Sequence, residues 1–479
     1  MFHIRVYKPK RLMLLGLLFV SQVINYGALL PSTDERAKTY RVRTGTGLGP
    51  EEINALHMRL PNVKRSIEQL LGTTISSKAT PFIGLASSGG GFRSMIATTG
   101  FMRGLQKIGV LDSSMYFSTL SGSTWMSSSW LSQNLSLDDF RTFLRKKVSR
   151  NVFKANFDIA AIAKDIETKI YYGQHVSLVD VYGAMLGHFL FGNIVPDGQK
   201  VYLSQLAPKI STGNYPIPVY TSVLDYGSGA SFDWFEFSPY EAGCQKLKAW
   251  VPMAAFGKKF DAGVSTDQAP EPTFGFLMGI CGSAFAANIK EILQELETVI
   301  FKNMALALTK EFRISPAQVF NFTKNIASSG FSDETYYTLV DGGLDFNIPL
   351  PPLLRRPTDI IIICDASSDI TDNEAPGLHG AENYAQQEDI PFPPINYTGI
   401  GKKPVSVFQD NKDADAPIII YFPSQVAFST LKFDYSGAEF DKLSDTIEKT
   451  VIANKALIVN AIKAKAAAMR NSSKRNHIC

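Results

Sequence analysis

The amino-acid sequence predicts an α/β fold, and three observations carry that expectation. A short apolar run, a tight turn and a helix-forming stretch follow one another twice, as "PFIGLASSGGGFRSMIATTGFM" and again as "MYFSTLSGSTWMSSSWLS". Such strand–turn–helix repetition marks α/β architecture. Further on, "TDIIIICDASSD" sets an unbroken apolar run before a turn, which suits a short strand covered on both faces. The chain of 479 residues is 45% hydrophobic and 19% charged. That is ordinary globular composition, with material for one large domain or two to three smaller ones.

The elements follow in order. Arg5, Lys8, Lys10 and Arg11 precede the apolar run of residues 12–24. A basic flank and a short apolar stretch predict a secretory signal over residues 1–28, cleaved or retained as an anchor, and hence an exported protein. The run falls short of the ~20 residues of a stable bilayer span. Residues 29–49 are polar and read as a linker. A helix is expected from Pro50, with Glu51 and Glu52 in its first turn, to Gly72. The first strand–turn–helix unit follows, then the second, then mainly helix over residues 137–200. "VYTSVLDYG" and "YYTLVDGG" read as strands, and the tail from about residue 438 as helix ending in a basic stretch. The net charge of +4 gives no argument for a nucleic-acid partner. Cys244, Cys281, Cys364 and Cys479 form no CxxC pair and no ligand spacing with histidine, so no metal site is expected.

Three stretches carry chemistry. Glycines between a strand and a helix bare backbone N–H groups at a helix N-terminus, which suits a phosphate cradle or an oxyanion hole. In "SSGGGFRSM" neither the Walker nor the GxGxxG spacing is present; a plain tight turn is the bland alternative. "TLSGS" places Ser121 between strand and helix, the logic of a nucleophile elbow, with Thr119 where a glycine is usual. "DGGLDFNIPL" places Asp341 at a strand end as a candidate base. Of the six histidines His3 and His477 are terminal and His57, His175 and His188 precede the acid, which leaves His379, after both Asp341 and Asp365, and a Ser121–Asp365–His379 triad as an alternative.

Together these stretches resemble the catalytic domain of the group IV cytosolic phospholipases A2 and fungal phospholipases B, relatives of the patatin-like lipases. "SLVDVYGAMLG", "DWFEFSPYEAG", "FLMGICGSAF" and "PTDIIIICDASSD" look like further signature segments in that family's order, so the resemblance covers roughly residues 50–450. It implies a three-layer α/β sandwich with a mixed central sheet over residues 50–479. It also implies an inserted cap within about 232–330 and a lid near residues 253–270. It implies a serine–aspartate dyad, Ser121 and Asp341, with Gly90 and Gly91 as oxyanion donors and Arg93 on the substrate phosphate. The expected activity is phospholipid acyl-ester hydrolysis of the phospholipase A2 kind. Lysophospholipase or phospholipase B activity is the runner-up, and a catalytically inactive lipid-binding effector the non-enzyme alternative. No cofactor is expected. The residues before the domain leave no room for a C2 sandwich, so calcium is not expected to serve catalysis. The expected partner is a phospholipid membrane or micelle surface, with no protein partner. Met253, Phe256 and Phe260 beside Lys258 and Lys259, and the basic C-terminal helix, are the candidates to touch it.

Overall fold

The computed structural model describes residues 38–152, 159–192, 194, 200–227, 232–284, 316–329, 331–426 and 428–470. The expected signal segment, residues 285–315 of the expected cap and the last nine residues lie outside them. Among the described residues no helix is long and apolar enough to cross a membrane.

The first strand, β1 (Arg43–Thr44), falls inside the expected linker, whose end is thus woven into the sheet. Helix α1 (Pro50–Leu71) begins at the predicted proline and stops at Gly72, which takes the left-handed φ of 63° that suits glycine. Strand β2 (Ile83–Ser87) leads through the glycines into α2 (Gly91–Lys107). Strand β3 (Ser114–Leu120) leads through Ser121 into α3 (Gly122–Ser132). Helices α4 (Leu137–Lys147), α5 (Ile159–Tyr171) and α6 (Leu178–Phe191) fill the stretch predicted as helix. Strands β4 (Ile217–Asp225), β5 (Phe232–Phe237), β6 (Glu241–Cys244) and β7 (Ala249–Pro252) follow. A two-stranded ribbon, β8 (Phe260–Asp261) and β9 (Val264–Ser265), precedes α7 (Phe274–Cys281). Strands β10 (Ala317–Phe320), β11 (Tyr336–Val340) and β12 (Ile360–Asp365) come next. Helix α8 (Pro376–Gln387), strands β13 (Ser406–Phe408) and β14 (Ile418–Pro423), and helices α9 (Gly437–Ala453) and α10 (Lys455–Arg470) complete the order.

Twelve of these strands form one mixed sheet in the order β1-β7-β6-β5-β4-β3-β2-β12-β14-β13, with β11 on β4 and β10 on β11. The parallel centre runs β4-β3-β2-β12-β14. The wing β5-β6-β7-β1 is antiparallel. The "IIIIC" run is the fully buried β12, paired on both edges, as an apolar run without alternation requires. Helix α9 lies along α2 through two glycines one turn apart. A Cβ at Gly100 would sit 2.1 Å from the Ser444 carbonyl oxygen, and one at Gly104 2.8 Å from Val451 Cβ.

Strand β4 places the site. Its first half pairs with β3, ending at Leu120 opposite Thr221. Its second half pairs antiparallel with β11, whose last residue Val340 stands opposite Val223. The chain therefore leaves β3 at Ser121 and β11 at Asp341, and the two strand ends converge along one shared neighbour. Parallel-sheet sites form at such C-terminal strand ends.

Two expectations change. Residues 232–252 belong largely to the antiparallel wing of the sheet, because their aromatic residues pack into it. Met253, Phe256 and Phe260 do not form an exposed lid patch: all three are buried. The Phe256 ring lies 5.3 Å from Phe237 and 6.1 Å from Phe235. Lys258 is buried too and donates to the Ala269 carbonyl; Lys259 alone of that group is exposed. A phenylalanine-rich turn is covered by the aromatic face of β5 rather than held out to solvent.

Candidate active site

Ser121 is 3% exposed and adopts φ 52°, ψ −120°, a conformation a non-glycine residue holds only when its surroundings impose it. Here the bonds that impose it are clear. Ser123 Oγ accepts from the Leu120 amide at 2.9 Å and donates to the Ser87 carbonyl at 2.8 Å, pulling the turn back onto both strands. A Cβ on Gly122 would lie 1.9 Å from the Gly91 carbonyl oxygen, so the elbow and the glycine loop touch through bare backbone. Thr119 is accommodated where a glycine was expected: it is fully buried, its Oγ1 accepts from Thr124 Oγ1 at 3.3 Å, and its carbonyl accepts from Thr221 Oγ1 at 2.9 Å.

Asp341 is 2% exposed. Its Oδ1 accepts from the Gly343 amide at 2.9 Å and its Oδ2 from the Ala284 amide at 3.4 Å, while its own amide donates to Ser283 Oγ at 2.9 Å. The Ser121 hydroxyl lies near enough to this carboxylate to favour its ionised form. Burial pushes the Asp341 carboxyl up to about 6, against the opposing pull of the Gly343 amide, the Ser121 hydroxyl and the Ala284 amide. A carboxylate tuned this way holds a proton more readily than an aspartate in water, as a general base must.

Gly90 caps α2 at φ 131° and Gly91 opens it at φ 59°. Both values lie where a side chain is strained, which answers why the loop is glycine. Their amides belong to the first turn of a helix and have no intrahelical acceptor. A Cβ on the preceding Gly89 would stand 3.1 Å from Ser121 Cβ, so the loop borders the serine directly.

Arg93 is 1% exposed, and its guanidinium is fastened to backbone: Nε donates to the Ala366 carbonyl at 2.6 Å and Nη1 to the Phe428 carbonyl. Its Nη2 end faces Gly90, where a Cβ would lie 2.6 Å away. Burial lowers its pKa, with Tyr435, Asp365 and Asp369 opposing. The arginine thus ties the glycine loop to the segments after β12 and β14.

The histidine alternative is not assembled. Asp365 accepts from Tyr421 Oη at 2.7 Å and from the Ser367 amide at 2.9 Å. The His379 side chain is 62% exposed, facing Glu382 at 3.5 Å. The structure instead adds residues not singled out in the sequence: Gly122, Ser283, Ala284, Gly343, Asn347 and Ser367. Asn347 lay in plain view inside "DGGLDFN", yet only the fold shows that it reaches Gly89. Among the described residues no group of three His, Cys, Asp or Glu could hold a metal ion.

Comparison with known proteins follows the same lines. Residues 83–391 match the model of the family described as lysophospholipase catalytic domain. Human cytosolic phospholipase A2 epsilon is 24% identical over 536 aligned residues, covering 89% of this chain and 61% of its own length. Human cytosolic phospholipase A2 zeta is 27% identical over 464, covering 80% of this chain and 53% of its own. The chain thus spans about three fifths or less of these relatives. Human GIVD cytosolic phospholipase A2 shares the fold, with a TM-score of 0.79 at 21% identity over 91% of this chain and 69% of that one. The same human protein in complex with methyl gamma-linolenyl fluorophosphonate gives a TM-score of 0.73 at 23% identity, covering 91% and 67%. The relatives are named cytosolic, which overturns the expectation of a secreted or exported protein drawn from the basic and apolar N-terminus.

Proposed function

Starting from the premise that the chain belongs to the lysophospholipase catalytic domain family, we propose that it hydrolyses acyl esters of phospholipids through a Ser121–Asp341 dyad. The observation that carries this reading is the strained elbow that holds Ser121 at the end of β3, beside the buried Asp341 carboxyl at the end of β11, which burial pushes up to about 6.

In the first half-reaction Ser121 Oγ bonds to the acyl carbonyl carbon and its proton passes to Asp341. The amides of Gly90 and Gly91 receive the oxyanion. The ester C–O bond to glycerol breaks, and the departing oxygen takes the proton from Asp341. Water then attacks the acyl-serine, Asp341 relays its proton to the leaving Ser121 oxygen, and free fatty acid departs. The chain's own side chains complete this cycle, so a chelator is expected to leave the rate unchanged. Arg93 has an Nη2 end beside the oxyanion loop, and its part in binding the lipid phosphate is proposed on that ground.

The test is labelling with a serine-reactive fluorophosphonate, followed by mapping, alongside assays on diacyl and monoacyl phospholipids. Ser121→Ala should abolish labelling, and Ser121→Ala and Asp341→Ala should each reduce hydrolysis of both lipids at least about 10³-fold. Arg93→Ala should slow phospholipid hydrolysis more than cleavage of a phosphate-free ester; equal slowing would leave Arg93 a brace alone. The relatives carry the name phospholipase A2 and the family model lysophospholipase, and the ratio of the two lipid rates decides between them. Intact lipid binding without hydrolysis or labelling would make the chain an inactive lipid-binding effector.

A further inference from the structure

Asn347 stands where the glycine loop and the aspartate loop meet. Its carbonyl accepts the Gly89 amide at 3.4 Å, and its Nδ2 donates to Ser367 Oγ at 2.7 Å and to the Gly89 carbonyl at 3.4 Å. Those two acceptors engage the donor end of the side-chain amide and fix which way the group points. The acceptor end is then aimed into the site. A Cβ on Gly89 would lie 2.4 Å from Asn347 Oδ1 and 3.1 Å from Ser121 Cβ. A Cβ on Gly343 would lie 3.1 Å from the same Oδ1 and 3.3 Å from Asp341 Oδ1. One carbonyl-type oxygen therefore lies close to both members of the dyad. Asn347 is only partly buried, and among the described residues none donates to its Oδ1.

We propose that Asn347 Oδ1 holds the water that resolves the acyl-enzyme. The inference rests on Ser121 being the nucleophile. A water has two hydrogens, and its attacking lone pair is aimed only when both are directed. Asp341 takes one; Asn347 Oδ1 accepts the other O–H, which remains with the product acid. The water oxygen bonds to the acyl carbon, the acyl–Ser121 bond breaks, and the proton on Asp341 moves to the departing serine oxygen. The first half-reaction uses no water, so Asn347 acts chiefly in the second. The same contacts make it a clamp between loops, and the experiment must separate the two roles.

It compares acylation with deacylation, using a fluorophosphonate for the first and a p-nitrophenyl acyl ester for the whole cycle. In Asn347→Ala the rate of fluorophosphonate labelling at Ser121 should stay within about threefold of the unmodified protein, while steady turnover falls about tenfold or more. A burst of one p-nitrophenolate per labelled site should appear, with the acyl group found on Ser121 by mass spectrometry. Asn347→Leu, near in size and lacking the acceptor, is read the same way should the alanine variant not fold. If labelling and turnover fall together without a burst, Asn347 only clamps loops and the proposal is wrong; unchanged turnover also overturns it. Absence of labelling at Ser121 in the unmodified protein would instead remove the dyad reading beneath it.

Discussion

Asp341 is where folding and chemistry pull in opposite directions. Its carboxyl is raised from 3.8 to about 6, so the folded state prefers the protonated form. Stability is highest where the group is protonated in both states and declines as pH rises from about 4 to about 6. Above that the ionised carboxylate costs the fold about 3 kcal/mol at 1.36 kcal/mol per pKa unit. On the proposed dyad activity runs the other way, because Asp341 acting as base must be ionised. Two results are expected. The kcat/KM profile should fall below about pH 6 with a slope of one proton, and a profile flat to pH 4 would remove Asp341 as the base. Asp341→Asn should be inactive yet more stable than the unmodified protein at pH 8, by about 1–3 kcal/mol in urea melts, with the gain vanishing near pH 4. Ser121, Asp341 and the glycines stand out as candidates in the sequence because each sits in a short motif whose turn chemistry is local. Asn347, Ser283 and Ala284 do not, because they contribute through contacts between segments far apart in the chain. The Arg93 backbone bonds were hidden for the same reason: both acceptor carbonyls follow distant strands.

At the scale of elements, close helix approaches set the site's tolerances. The elbow meets the glycine loop at Gly122, and α2 is held against α9 at Gly100. Gly122→Ala would push a Cβ to 1.9 Å from the Gly91 oxygen, against backbone that cannot rotate away. It should lower kcat/KM at least about 10²-fold by displacing the oxyanion amides. Gly47→Ala is the control, since nothing lies within 4 Å of a Cβ there. Near-normal kcat/KM in Gly122→Ala would show that the loop is not held by this contact. The strand–turn–helix units were predicted correctly because their apolar runs end in glycine or serine turns. The strands between residues 241 and 252 were read as cap because they are four residues each and mix glycine, cysteine and tryptophan. The lid expectation on Met253, Phe256 and Phe260 failed because a sequence does not show which aromatic face covers a phenylalanine.

Across the whole molecule, a buried charge cluster joins three distant parts of the chain. Arg356, 1% exposed in its side chain, pairs with Glu52 of α1 at 2.8 Å and with Glu236 of β5 at 2.7 Å; Arg355 joins Glu236 at 2.6 Å. Arg356→Ala takes from buried Glu52 the arginine it pairs with, while Glu236 keeps Arg355, and should cost about 3–5 kcal/mol in urea melts; a loss under about 1 kcal/mol would mean water reaches the cluster. Glu52 read in the sequence only as an acid of the first helical turn, and only the fold reveals its burial. The α/β class itself was legible from periodicity and the "IIIIC" run, whereas the order of strands was not, because pairing joins residues far apart. That order has a consequence for how the protein is made. Ser121 leaves the ribosome long before Asp341, and the two meet only once β3 and β11 have both docked on β4. Chains stalled before Tyr336 should therefore leave Ser121 inert toward a fluorophosphonate, and released full-length chains should react; fast labelling of the stalled chains would refute this. The timetable of synthesis keeps the proposed nucleophile without its base until β11 has been delivered.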